Sequence, residues 1–254
     1  MIISRPSWED VPALRALWKE AFGDGDAFLD GFFKTAFSTH RASIARIGSD
    51  IVGMLYWFDC EARGERCAYI YAVATAKAQR GQGVCGALME DTHRLLRDSG
   101  YSGAVLVPGS AELFRFYDKL GYKICSLIDE IAVTAGMAPI PIHEIDKEEY
   151  ARLRRKFLPA GGVVQEMENL DFLKVYARFY AGDGFVLAGY KNADTFTGIE
   201  LLGNTNRDHC AAITRALGAK AAHIRVPGDR RPFAMHYPLS KESCAPKYFG
   251  LAFD

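Results

Sequence analysis

The chain has 254 residues, of which 49% are hydrophobic and 24% are charged, a composition typical of a globular protein with one large domain or two smaller ones. Lys plus Arg and Asp plus Glu number 31 each, and the resulting net charge of zero argues against bulk electrostatic affinity for nucleic acid or for a membrane surface. No apolar run reaches the roughly 18–20 residues that a membrane span needs, and the N-terminus lacks the pattern of a signal peptide.

The six cysteines are scattered along the chain and include no Cys-x-x-Cys pair. We interpret them as reduced thiols rather than as a disulfide framework or a zinc site. The six histidines show no ligand spacing, so we expect no metal centre. The sequence therefore predicts a soluble, cytoplasmic protein.

The first half of the chain begins with two helical patterns. Val11, Leu14, Trp18 and Phe22 recur at helical spacing, which predicts a first helix with one buried face. A second helical stretch follows over 27–37. Strand patterns, turn residues and glycines then predict this order: strands over 44–47, 51–58 and 68–73, a glycine loop over 80–86, a helix to about 97, a strand over 104–107, a helix over 111–120 ended by Gly121, and a strand over 122–133.

The second half follows a linker over 136–141 that contains two prolines and a glycine. Its patterns predict helices over 147–158, 170–180 and 207–217, and strands over 185–190, 198–202, 221–226, 233–238 and 248–253. Both halves share an order of helices, hairpin strands, a helix and further strands. This shared order hints at a duplicated fold.

The glycine loop carries the clearest chemical signal in the sequence. Arg80-Gly81-Gln82-Gly83-Val84-Cys85-Gly86 contains Gly-x-Gly-x-x-Gly. A dinucleotide-binding fold would place this loop directly after its first strand, with an acidic residue about 20 positions on, and neither condition is met. The lysine and Ser/Thr of a triphosphate-binding loop are also missing.

The loop has the features of an anion-binding site even though it matches neither of these nucleotide-binding motifs. Small residues at a helix N-terminus expose backbone N–H groups that point the same way and are supported by the helix dipole. Gly81 and Gly83 permit positive φ, and Arg80 adds a positive charge. Such a loop suits a phosphate or a pyrophosphate.

Two segments resemble the signatures of one family. Residues 73–84, Val-Ala-Thr-Ala-Lys-Ala-Gln-Arg-Gly-Gln-Gly-Val, resemble the cofactor signature of the GNAT superfamily of N-acetyltransferases. Residues 113–122, Leu-Phe-Arg-Phe-Tyr-Asp-Lys-Leu-Gly-Tyr, resemble that family's second signature, an aromatic-Tyr-x-Lys-x-Gly-aromatic run. The two segments are separated by about thirty residues with a predicted strand between them, as in that family. The resemblance covers residues 1–134 well and the second half in outline.

The resemblance implies a fold and an activity. It implies a GNAT-like α/β fold with a mixed sheet, as an acetyltransferase domain over 1–135 and a degenerate GNAT-like domain over 142–254. We expect the second domain to bind no cofactor and to form one wall of the acceptor pocket. The implied activity is direct acetyl transfer from acetyl-CoA to the primary amine of a small molecule or peptide.

The resemblance also implies the roles of individual residues. Val73 and Ala74 would pair their backbone with the pantetheine amides, and Tyr117 would protonate the departing thiolate as general acid. Pyrophosphate binding would fall to the main chain of Arg80, Gly81, Gln82, Gly83, Val84, Cys85 and Gly86. Cys85 departs from the Gly or Ala of the family, and Ser110 stands where many relatives have an asparagine that contacts the cofactor. Ser110 could equally serve as a helix N-cap.

The general base is not identified by the sequence. Many relatives carry a glutamate on the strand before the pyrophosphate loop, but residues 69–73 contain no carboxylate. Four carboxylates are candidates: Asp59, Glu61, Glu130 and the C-terminal carboxylate of Asp254.

Other functions stay open at this point. The chief alternative is a CoA-sensing or scaffold protein that retains the loop and has lost catalysis, and a nicotinamide oxidoreductase is a remote third. Cys85 could form an acyl intermediate, although direct transfer is the simpler chemistry. Aminoglycosides, polyamines, amino acids and peptide N-termini all fit as acceptors, and the oligomeric state has no signature in the sequence.

Overall fold

The computed structural model describes residues 1–253, which divide into two compact units. The first unit contains residues 1–123 together with 236–245, and the second contains residues 124–235 and the segment from Pro246 onward. The division therefore differs from the one expected at residue 135, because the boundary falls earlier and a late segment belongs to the first unit. Within residues 1–253, no helix combines the length and the apolar character that crossing a membrane requires.

The first unit is a twisted sheet with helices that follow the predicted order. Its elements are β1 (Ile2–Ser4), α1 (Val11–Phe22), α2 (Asp26–Thr35), β2 (Ala42–Ile47), β3 (Asp50–Ala62), β4 (Glu65–Thr75), α3 (Val84–Asp98), β5 (Gly103–Leu106) and α4 (Ala111–Lys119). The strands lie in the order β1-β2-β3-β4-β5. The first four pair antiparallel in succession, and β5 pairs parallel to β4.

Trp18 is the centre of the packing between the N-terminal helices and the sheet. Its ring lies 4.7 Å from that of Phe32 on α2, 5.5 Å from that of Tyr56 on β3 and 5.7 Å from that of Tyr71 on β4. The helix ends at Gly23, which has a φ of +78° and donates its N–H to the Lys19 carbonyl. The helical spacing in the sequence thus predicted the element and the burial of Leu14 and Trp18, but it was wrong for Phe22, which is 47% exposed at the end of the helix.

The second unit contains the remaining elements. They are β6 (Lys123–Thr134), β7 (His143–Ile145), α5 (Lys147–Phe157), β8 (Val163–Val164), α6 (Glu168–Leu173), β9 (Arg178–Gly182), β10 (Phe185–Asn192), β11 (Thr195–Gly203), α7 (Arg207–Ala216), β12 (Ala221–Pro227) and β13 (Arg231–Pro238), whose last three residues belong to the first unit. The strand order is β6-β12-β11-β10-β9-β7.

Two sequence predictions in this unit are wrong. The helix expected over 170–180 stops at Leu173, and β9 takes up the residues from Arg178, because these alternate between buried and exposed and pair with β10. The segment from Tyr248 to Phe253 is not a strand. Tyr248 forms only an isolated parallel bridge with Gly162, and the groups beyond it bond mainly to side chains, as where Gln165 Nε2 donates to the Leu251 carbonyl at 2.7 Å.

The same succession of elements occurs in both units. In the first, the antiparallel hairpin β3/β4 leads through α3 to β5, which lies parallel to β4. In the second, the antiparallel hairpin β10/β11 leads through α7 to β12, which lies parallel to β11. The repeated order anticipated from the sequence is therefore present in the topology.

A buried ion pair lies inside the second unit. The Arg154 guanidinium donates from Nε to Glu200 Oε2 at 2.6 Å and from Nη2 to Oε1 at 3.0 Å, and both side chains are almost wholly buried. The hydroxyls of Tyr150 and Tyr248 donate to the same carboxylate, and Arg154 also donates to the Val163 carbonyl. Hydrogen bonds of this pair thus connect α5 and β11 with β8 and with the segment that contains Tyr248.

We expect Glu200→Gln to lower the free energy of unfolding by about 3–5 kcal/mol, because it leaves the Arg154 charge buried without its counter-ion. The control is Glu149→Gln, which breaks the exposed Arg152–Glu149 pair (3.3 Å) and should change stability by less than about 1 kcal/mol. Urea denaturation of both variants makes the comparison. Equal effects would mean that the buried pair does not hold this unit together.

Candidate active site

A β-bulge interrupts β4 where the cofactor strand was predicted. Met54 pairs with Ala74 and Tyr56 pairs with Tyr71, so two residues of β4 stand opposite one residue of β3. Ala72 has a φ of +48° at this point, a conformation that non-glycine residues seldom adopt. The bulge turns the chain away from the regular ladder directly before Val73.

The two parallel strands separate beside this bulge. Within the described chain, the β4–β5 ladder joins Cys67 to Gly103 and ends where Tyr69 meets Val105. Val73 lies in the bulge, Ala74 keeps its β3 partner Met54, and neither residue has a β5 partner in that ladder. Their edge is therefore suited to pairing with the amides of an extended ligand, which is the role predicted for them.

The glycine loop leads into α3 through two left-handed residues. Gly81 has a φ of +76° and Gly83, the N-cap of α3, has a φ of +79°. No side chain among residues 1–253 caps this helix, and Gly83 accepts the first helical bond from Ala87 at 3.0 Å. The N–H groups of the first turn are consequently available to an anion.

Side chains of the loop and of α1 hold this conformation. Arg80 Nε donates to the Thr75 carbonyl at 3.2 Å, and Gln82 Nε2 donates to the Ala78 carbonyl at 3.1 Å. The Glu20 carboxylate accepts from the Lys77 N–H at 2.6 Å, a contact across 57 residues that sequence reasoning missed. No local pattern in the sequence marks Glu20 for this role.

Cys85 and Gly86 lie in the first turn of α3. Burial raises the pKa of the Cys85 thiol to about 11, so it is a protonated thiol at neutral pH. This favours direct transfer over an acyl-cysteine intermediate. A Cβ placed on Gly86 would lie 3.9 Å from Leu120, an ordinary contact, so the space would accept an alanine at this position.

Ser110 is the N-cap of α4. Its hydroxyl accepts from the Leu113 N–H at 3.3 Å, and its backbone is extended as an N-cap requires. Ser110 therefore serves as a helix N-cap, and its contact with a cofactor stays a prediction.

Tyr117 lies on the buried face of α4. It is 7% exposed, and its ring lies 5.2 Å from that of Phe116 and 5.7 Å from that of Tyr122. Burial, with a smaller contribution from the nearby Cys85 thiol, raises the pKa of Tyr117 well above its ordinary value. Its hydroxyl is thus protonated at neutral pH, and it lies close to the loop.

The candidate bases in the first unit lie away from this end of the sheet. Asp59 stands opposite Ala68, five residues and about 16 Å along β4 from Val73. Its carboxylate is already engaged by Arg66 at 3.2 Å and by the Tyr101 hydroxyl.

The other three carboxylates differ in their surroundings. Glu61, opposite Arg66, is two residues farther along β3 than Asp59. Glu130 belongs to the second unit, where it accepts from Arg231 at 2.8 Å. The carboxylate of Asp254 lies outside the described residues. The structure thus brings the glycine loop and Tyr117 together and leaves Asp59 and Glu61 apart from them.

Comparison with known proteins supports the assignment of the first half. Residues 3–125 match the family model described as an acetyltransferase (GNAT) domain. No curated protein matches the sequence significantly. Among solved structures, a GCN5-related N-acetyltransferase from Anabaena variabilis is similar with a TM-score of 0.75 at 14% identity, over 94% of this chain and 73% of that one.

Two further solved structures have a similar fold across the chain. A putative acetyltransferase from Pyrococcus horikoshii has a TM-score of 0.65 at 15% identity, over 98% of this chain and 93% of its own. A GCN5-related N-acetyltransferase from Kribbella flavida has a TM-score of 0.69 at 15% identity, over 93% and 70%. At these identities the likeness establishes a GNAT-like mixed α/β fold.

We expect Gly83→Ala to weaken acetyl-CoA binding by about tenfold or more, because a Cβ at this φ costs about 1–2 kcal/mol and displaces the first turn of α3. Gly100→Ala is the matched control. Gly100 has a φ of +80° beyond the other end of the same helix, and, as at Gly83, an added Cβ meets nothing within 4 Å. Calorimetric affinities that fall equally in both variants would contradict a direct role for the loop.

Proposed function

We propose that this protein, whose residues 3–125 match the family model of an acetyltransferase (GNAT) domain, transfers an acetyl group directly from acetyl-CoA to a primary amine, with Tyr117 as the general acid. The observation that carries the proposal is the uncapped N-terminus of α3, reached through left-handed Gly81 and Gly83 beside the open edge of β4. A pyrophosphate needs such N–H donors, and a pantetheine arm needs such an edge.

The backbone of the first unit would provide the binding energy. The N–H groups of Val84, Cys85 and Gly86 would bind the pyrophosphate, and Arg80 would add its charge. The backbone of Val73 and Ala74 would pair with the pantetheine amides. A backbone N–H near these two residues would also stabilise the oxyanion that develops on the acetyl carbonyl.

Tyr117 would complete the transfer. The free amine forms a bond to the acetyl carbon, and the bond from that carbon to sulfur breaks with its electrons on sulfur. Tyr117 gives its proton to this thiolate. The acceptor loses one proton as its ammonium form becomes the free amine, and its nitrogen loses a second as the amide forms. One of these protons restores the Tyr117 hydroxyl through solvent, and the other is released. The products are the N-acetylated amine and CoA.

The second unit is proposed to be a degenerate copy without a cofactor site. Its helix α7 occupies the place that α3 has in the first unit, but Asn206 caps it by accepting from the His209 N–H at 2.8 Å. A side chain therefore occupies the position that an anion would take. Its role as a wall of the acceptor pocket stays a prediction.

A CoA-sensing protein without catalysis is the second candidate. Residues 67–75 of β4 carry no carboxylate, and the nearest acidic side chain on β3, Asp59, is committed to Arg66 and Tyr101. A sensing protein would have the same cofactor site as the acetyltransferase but would not turn over. An assay of thiol release therefore distinguishes the two functions.

The first experiment is calorimetric titration with acetyl-CoA, with NADH and ATP as controls. We expect acetyl-CoA alone to bind, with a Kd on the order of micromolar, because only it matches both the loop and the strand edge. Binding without thiol release for any amine of a broad panel would favour the sensing function. No binding of acetyl-CoA or longer acyl-CoAs would overturn both.

Tyr117→Phe should lower kcat by about 10- to 1,000-fold and leave the Kd for acetyl-CoA within about twofold, because it removes the proton donor and keeps the ring. The control is Tyr101→Phe, which removes a buried hydroxyl that donates to Asp59 at the far end of β4. An unchanged kcat in Tyr117→Phe would refute the acid assignment.

A further inference from the structure

The end of α4 connects Tyr117 rigidly to Tyr122. Gly121, with a φ of +93°, donates its N–H to the Asp118 carbonyl at 3.0 Å, and the Tyr122 N–H donates to the Tyr117 carbonyl at 3.0 Å. These two bonds form a Schellman motif, in which the residue after the glycine packs on the residue five positions before it. The two tyrosine rings accordingly meet edge to face, at 5.7 Å and 66°.

Tyr122 is fixed in turn by the helix that begins at the glycine loop. It is fully buried, and its hydroxyl lies 2.7 Å from His93 Nε2 on α3. The His93 ring stacks on that of Tyr237, with centroids 4.1 Å apart and planes at 13°. The Tyr237 ring also packs on the Tyr122 ring, with centroids 5.4 Å apart. Tyr237 thus contacts both partners of the hydrogen bond between His93 and Tyr122.

The imidazole in this arrangement is neutral. Burial, and to a lesser extent the charge of Arg97, lowers the pKa of His93 from 6.5 to about 4. A neutral ring bonds to the Tyr122 hydroxyl without placing a charge in the core. Met89, His93 and Leu96 lie on the buried face of α3, so His93 is part of the packing between α3 and the segment after α4.

We propose that Tyr122, held by His93, is a positioning residue for the general acid, a role that rests on the proposed function of Tyr117. α3 presents the proposed pyrophosphate site at its first turn and His93 about 10–14 Å further along the same helix. The bond from His93 to Tyr122 and the Schellman motif then relate the Tyr117 ring to that helix. The cofactor site and the acid are thereby held at a fixed separation, and small displacements of a reacting group cost large factors in rate.

Tyr122→Phe tests this, because it keeps the ring and removes only the hydroxyl that His93 holds. We expect kcat to fall about tenfold, with the Kd for acetyl-CoA unchanged within about twofold, since the acid is misplaced and the loop is intact. In a Tyr117→Phe background the same change should have no further effect on kcat. This non-additivity is the signature of a residue that acts through Tyr117.

His93 provides an independent pair of variants. His93→Gln places an amide nitrogen where Nε2 lies and should keep kcat within about threefold, whereas His93→Leu should match Tyr122→Phe. Arg94→Gln is the control, because Arg94 is the next residue on α3 and bonds to Asp91 on the surface. It should leave kcat unchanged.

The outcomes separate this proposal from the one it rests on. If Tyr117→Phe is inactive or slow and Tyr122→Phe lowers kcat equally in both backgrounds, Tyr122 has only a structural role and the positioning proposal falls alone. If Tyr117→Phe is fully active, the acid assignment falls and the positioning proposal falls with it. If Tyr122→Phe does not fold, equal rates for His93→Gln and His93→Leu overturn the proposal.

Discussion

The left-handed conformation of Ala72 is the constraint on which the site depends. At Ala72 the bulge interrupts the pairing of β4 with β3, and the ladder between β4 and β5 has already ended at Tyr69. A φ of +48° is unfavourable for alanine, so the surrounding ladder must impose it. Pairs with β3 on either side of the bulge do this, and the Trp18 cluster packs against the preceding Tyr71. A strained residue inside the sheet thus lies directly beside the strand edge that is open to a ligand.

The corresponding helices of the two units differ in how their N-termini are capped. Both place a helix after an antiparallel hairpin and before a parallel strand. At α3 the N-cap is Gly83, which has no side chain and leaves the first-turn N–H groups free for a ligand. At α7 the N-cap is Asn206, whose amide oxygen takes one of these N–H groups. A helix dipole alone therefore does not make a site, because a single capping side chain satisfies it internally.

Much of the first unit could be predicted from the sequence, because its signals are local. Helical spacing predicted α1, and the glycines predicted the loop before α3. The bulge at Ala72 left no signal, since alanine has no preference for that conformation and the pairing that imposes it is distant. The stretch from Tyr248 to Phe253 was wrongly predicted as a strand for the related reason that several of its hydrogen-bond partners, such as Gln165, are side chains far away in sequence. His93 is an intermediate case. Its helical spacing with the apolar residues of α3 indicates that it is buried, but nothing in the sequence identifies Tyr122 as its hydrogen-bond partner.

The surroundings of Tyr117 bear on whether a tyrosine can protonate a departing thiolate. Burial raises the pKa of Tyr117, which by itself makes the proton harder to give away. The neighbouring Cys85 shows that the same surroundings raise the pKa of a thiol, from 9.0 to about 11. Under the proposed function, the CoA thiolate released beside Tyr117 would be destabilised by the same loss of solvent, so the proton affinities of acid and leaving group rise together. The raised proton affinity of the thiolate therefore offsets part of the cost that burial adds to proton transfer from Tyr117.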